Sequence, residues 1–219
     1  NDFAIAWAGQ AVQTAPEPHF HITLSLALLA EGHAEPARAA AHVAVLQTPD
    51  DPRAHLAVAE ALEALGRRAD AETALRNAIR LRPLDSGYSS ALSRFFQRNG
   101  REAAAIATAL EAVRLSPEND IATRQTLAVL LDSAGRTAEA EPWFAAVRAL
   151  LPEDPAALAN HGAILFRLGR PEEALPLLER AAAMGNVSGE TWNNLGLVQM
   201  ALGFLEDADA SFAHAARVS

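Results

Sequence analysis

Apolar residues along this chain recur at three- and four-residue spacing. The stretch 52–65 carries Leu56, Val58, Ala59 and Leu62, and the stretch 69–81 carries Ala71, Ala74, Leu75, Ala78 and Ile79. That period predicts two amphipathic helices rather than strands. Gly66 stands between them, where a left-handed residue caps a helix C-terminus, and Pro83 stops the second helix. Small residues at Ala59 and Ala71 let the two backbones approach closely. Neither helix can bury its apolar face alone, so such hairpins must stack.

The hairpin is one of a series. Glycine falls at Gly32, Gly66, Gly100, Gly135, Gly169 and Gly203, at intervals of 34, 34, 35, 34 and 34 residues. Five residues after each comes an alanine (Ala37, Ala71, Ala105, Ala140, Ala174, Ala208), and seven before each a small residue (Ser25, Ala59, Ser93, Ala128, Gly162, Gly196). Prolines 17 residues after the first four glycines (Pro49, Pro83, Pro117, Pro152) repeat the stop, and Asn186 takes the fifth such place. The one inserted residue is expected in the turn at 118–120. A fixed period of this length is the mark of a repeat array.

These features resemble the tetratricopeptide repeat family. The last unit carries the signature most fully, with Trp192, Leu195, Gly196, Ala208, Phe212 and Ala215; the preceding units show Leu158, Gly162, Leu165, Ala174, Leu178 and Ala181, then Leu127, Leu131, Ala140 and Phe144. Gln199 and His161 depart from it, standing where an aromatic or leucine and a leucine or valine are expected. The resemblance implies an all-α solenoid, a right-handed superhelix of antiparallel helix hairpins. Six units are expected over 18–219 (near 18–51, 52–85, 86–120, 121–154, 155–188 and 189–219), after an N-terminal half-repeat helix within 1–16.

Composition narrows the chemistry. Alanine supplies 51 of the 219 residues, and only 5% are aromatic, which suits close-packed helices. The chain has no cysteine and no lysine. That excludes disulfides, thiolate metal sites, a phosphate-loop lysine and Schiff-base chemistry. Cytoplasm and periplasm both suit a cysteine-free chain, and the lysine-free, arginine-rich composition matches a GC-rich bacterial genome. A net charge of -9 argues against nucleic-acid binding, and no apolar run is long enough to insert into a membrane.

Carboxylates crowd the starts of the second helices, as at Glu172 and Glu173 after Pro171, where they complement the helix dipole and suggest no acid–base chemistry. His19 and His21 are two apart, the wrong spacing for ligands on one helix face, so no metal or other cofactor is expected. Asn186–Val187–Ser188 matches a glycosylation acceptor without a secretory context. No catalytic motif occurs, and the chain is read as a non-enzyme.

One local charge feature stands out. Between Arg67 and Arg101 there are eight arginines against three acids, a net of +5, which leaves -14 for the rest. The family resemblance implies that first helices line a concave groove for a peptide or partner segment. That register places Arg53, Arg94, Gln97, Arg98, Gln125, Asn160, Arg167, Asn193 and Asn194 in the groove. Arg94 and Arg98, four apart, are expected to grip one acidic group. Asn160 and Asn194 sit where the protein O-glycosyltransferase type holds a peptide backbone, although Thr23, Ala57, Ala91 and Thr126 break that ladder. The chaperone-binding carboxylate clamp is not expected, because Gln125, Val129 and Glu190 occupy most of its positions. The leading reading is an interaction scaffold. The alternatives are self-association through open solenoid ends into a homo-oligomer, and the recognition region of a larger glycosyltransferase- or sulfotransferase-type enzyme.

Overall fold

In a computed structural model, described for residues 17–117, 120–185 and 187–218, every described residue outside turns and links is helical. The helices are α1 (Pro18–Ala30), α2 (Ala34–Gln47), α3 (Pro52–Ala64), α4 (Arg68–Leu81), α5 (Ser86–Arg98), α6 (Glu102–Leu115), α7 (Ile121–Ser133), α8 (Thr137–Leu150), α9 (Pro155–Arg167), α10 (Pro171–Ala183), α11 (Gly189–Ala201) and α12 (Leu205–Val218). The fold is all-α, of the stacked-hairpin type that the sequence predicts. The half-repeat expected within 1–16, most of the insertion at 118–120, and Asn186 lie outside the described residues.

The phased glycines make the hairpins. All six have φ between 70° and 85°. At Gly66 the reason is explicit: its N–H bonds Glu63 O at 2.9 Å, and Arg67 N–H reaches back to Leu62 O at 2.9 Å. This is a Schellman closure, which needs a left-handed residue at that point. The glycine therefore ends one helix and turns the chain directly into the next.

The first helices from α3 onward begin differently. Asp51, Asp85, Asp120, Asp154 and Ser188 each accept a hydrogen bond from a backbone N–H in the first turn of the helix that follows. These caps recur with the repeat period and satisfy N–H groups that have no partner within the helix.

The chain divides into two compact units, Asn1–Ser116 and Pro117–Ser219. Within the first, α1/α2, α3/α4 and α5/α6 are antiparallel hairpins, with α2 packed on α3 and α4 on α5. Within the second, α7/α8, α9/α10 and α11/α12 are joined through α8 on α9 and α10 on α11. The phased alanines sit at the helix crossings and are buried, Ala37, Ala71, Ala105, Ala140 and Ala174 completely. Around them the second unit buries Leu158, Leu165, Leu178, Leu195 and Val198 in one cluster, with Trp192 against it. Burying a leucine or phenylalanine stabilises by about 1.5–3 kcal/mol, so these larger side chains hold the hairpins together.

Candidate functional site

The stripe of α9 opposite the hairpin core carries Ala156, Asn160, Ala163 and Arg167, and on α11 the matching stripe is Glu190, Asn194 and Leu197. The i, i+4, i+7 spacing puts each set on one face. Together with Val129 and Asp132 of α7 they line a cavity of about 450 Å³ in the second unit, into which Phe166 also projects. Asn160 is exposed and Asn194 half-buried, and neither side-chain amide has a hydrogen-bond partner among the described residues.

Charge in this groove is partly cancelled. Arg167 Nη2 donates to Asp132 Oδ2 at 2.6 Å, across from α9 to α7. Glu190 is exposed and makes no ion pair among the described residues.

In the first unit a smaller cavity of about 80 Å³ lies between α3 and α5, lined by Leu56, Glu60, Glu63, Arg94 and Arg98 among others. Arg98 is held there by two bonds to Glu63, at 2.9 and 2.6 Å, which raise its pKa above the ordinary arginine value. The two-arginine grip expected at Arg94 and Arg98 is thereby narrowed: Arg98 already has a carboxylate, and Arg94 alone is without an ion pair among the described residues. Burial pushes the Glu60 carboxyl above the usual carboxylate range, against the opposing pull of Arg98.

The remaining expected groove residues separate. Arg53 is bound to Asp51, the cap of its own helix, at 2.8 Å. Gln97, Gln125 and Asn193 are exposed and outside both cavities. The sequence reading missed Glu63 and Asp132 as partners of Arg98 and Arg167. The available signal was an acid three residues before one phased glycine and an arginine two before the next.

His161 is an internal bridge. Arg148 Nε donates to its Nδ1 at 3.0 Å, so the ring hydrogen sits on Nε2, 3.2 Å from Glu141 Oε1. Burial holds its pKa below the ordinary imidazole value despite Glu141. Among the described residues no group of three or more histidine, aspartate or glutamate side chains is placed to hold a metal ion. No described helix is long and apolar enough to cross a membrane.

The sequence profile of the tetratricopeptide repeat matches residues 59–120, 126–191 and 159–217. Comparison with curated proteins found no match. Among solved structures the chain is similar to that described as the functional characterization of Pseudomonas aeruginosa pilF (TM-score 0.72, 17% identity, 89% of this chain and 88% of that one). It is similar to PilW, a type IV pilus biogenesis factor (TM-score 0.71, 17% identity, 90% and 91%). A third is YrrB, a repeat protein with an unusual peptide-binding site (TM-score 0.58, 20% identity, 84% and 95%).

Proposed function

This chain belongs to the tetratricopeptide repeat family, and on that premise we propose that it is a non-catalytic scaffold whose second unit binds an extended segment of a partner protein. The observation that carries the reading is the groove of about 450 Å³ lined by Asn160 and Asn194, whose side-chain amides have no hydrogen-bond partner among the described residues. A side-chain amide both donates and accepts, so it can bond both polar groups of a peptide unit. Helices in contact lie about 8–10 Å apart, roughly three residues of extended chain at about 3.3 Å each, so both amides can grip one strand. Val129, Phe166 and Leu197 give it an apolar wall. In the first unit, considered by itself, Arg94 is the cation offered to an acidic group of a partner.

The test is a selection of displayed nonapeptides on the whole chain, followed by anisotropy titration of the selected sequences. Replacing Asn160 and Asn194 together by alanine is expected to weaken binding at least about tenfold, the loss of two or more hydrogen bonds. Unchanged affinity would overturn the reading.

A further inference from the structure

The second unit's groove is tiered, and the tiers follow the repeat register. Thirteen residues before the phased glycines stand Ala156 and Glu190; nine before, Asn160 and Asn194; six before, Val129, Ala163 and Leu197. All seven line the same cavity. A segment running across the helices along the amide tier would thus have a carboxylate on one flank and an apolar wall on the other. Consecutive side chains of an extended strand point to opposite sides.

The flanks differ in charge because the other ions cancel. Arg167 and Asp132 neutralise each other, and the asparagines are uncharged, which leaves Glu190 as the charge of the groove lining without an ion pair among the described residues. The unit around it is acidic: Pro117–Ser219 holds 14 carboxylates against 7 arginines, a net of -7, whereas Asn1–Ser116 holds 13 against 11. The long-range field and the local carboxylate therefore favour the same sign of ligand.

We infer that this groove selects an extended segment in which a basic residue and a bulky apolar residue stand an odd number of positions apart. The basic side chain meets Glu190, and the apolar one lies on Val129, Ala163 and Leu197. The inference rests on the segment-binding reading above and adds the ligand's chemistry and its spacing.

The experiment is capture by the whole chain from a nonapeptide library with leucine fixed at the fifth position and the others randomised, read by sequencing the bound pool. Arginine and lysine are expected to be enriched at positions an odd distance from the leucine, on one or both sides, over positions an even distance away. At 50 mM salt a bound peptide should lose about tenfold in affinity when its basic residue becomes glutamate, and less at 500 mM, where screening is within about 4–5 Å. Glu190→Gln, at an exposed position that leaves folding intact by circular dichroism, should abolish the enrichment while capture persists. Capture that depends on Asn160 and Asn194 but shows no basic preference overturns the inference and leaves the segment-binding reading standing. So does an even-spaced preference, or one that survives Glu190→Gln. No capture, or capture unaffected by the double asparagine replacement, overturns both.

Discussion

Arg167 reaches 2.6 Å from Asp132, joining the last turn of α9 to the last turn of α7. Arg98 and Glu63 form the same bond between α5 and α3, and in each pair the partners are 35 residues apart. A second contact reinforces each first one. Arg101 bonds Glu72 at 2.5 Å in the first unit, and Arg170 lies 3.7 Å from Glu141 in the second. In each unit one pair of neighbouring hairpins is thus tied at two points, once in the groove and once near the glycine turn.

The groove pairs set charge more than stability. Their arginines are about half exposed, and exposed ion pairs contribute below about 1 kcal/mol. Asp132→Asn should therefore shift the urea midpoint little while freeing Arg167. A labelled polyglutamate peptide that binds the native groove weakly should bind this variant several-fold better in anisotropy titrations. An unchanged affinity would mean that Arg167 does not reach the ligand.

Gly196 and Gly162 hold the small-residue position where paired helices cross. A Cβ at Gly196 would lie 2.7–2.9 Å from three ring atoms of Phe212, and one at Gly162 would lie 2.8 Å from Leu178 Cγ. Overpacking costs about 1–3 kcal/mol. Alanine recovers about 0.5–1 kcal/mol of helix propensity over glycine. Overpacking wins, and Gly196→Ala is expected to lower unfolding stability by about 1–2 kcal/mol, measured by urea denaturation. An alanine as stable as the native chain would show that Phe212 moves aside without penalty.

The repeat was legible because its punctuation is chemically obligatory: a left-handed glycine and a crossing alanine cannot drift without breaking the hairpin. The same register places Asn160, Asn194 and Arg167 on one face of the first helices, and all three line the cavity of the second unit. The state of the arginines was not legible. Whether Arg98 is available depends on Glu63, which stacking alone brings near it. Arg53 has a partner only two residues away, the N-cap Asp51, which the repeat pattern does not single out. The departure at Gln199 also has a partner the repeat pattern does not show: its Oε1 accepts from Ser211 Oγ at 2.7 Å in the buried contact between α11 and α12.

Two serines at one register position should respond oppositely. Ser93 Oγ donates to Ala105 O at 2.7 Å inside its hairpin. Ser25 Oγ is fully buried with no partner among the described residues. Removing a satisfied hydroxyl costs about 1 kcal/mol, whereas removing an unsatisfied one relieves a desolvation penalty of about 1–3 kcal/mol. Ser93→Ala should lower the thermal midpoint and Ser25→Ala should raise it. Shifts of the same sign would refute the contrast.

Acid should destabilise this chain through its buried histidines before its carboxylates titrate. His161 and His21 both have pKa values lowered by burial from an ordinary value of 6.5. The unfolded chain therefore takes up these protons first as pH falls. The stability they contribute is fully present above about pH 6.5 and declines as pH drops from there toward their folded values. Asp51 and Glu72 are shifted down by their arginine partners, so their contribution is lost only at lower pH. Glu60, shifted up by burial, acts in the opposite sense and gains stability as it protonates. As pH falls from 7 to 5.5 the two histidines therefore lower stability, and Glu60 opposes them to the extent that it protonates there. His161→Leu restores the residue type that this position carries in most other repeats, and it removes one of the two buried imidazole contributions. The fall in urea midpoint from pH 7 to 5.5 should then be shallower than in the native chain, with the His21 contribution still present. An identical fall in both would mean that His161 titrates normally in the folded protein, with Glu141 outweighing the effect of burial.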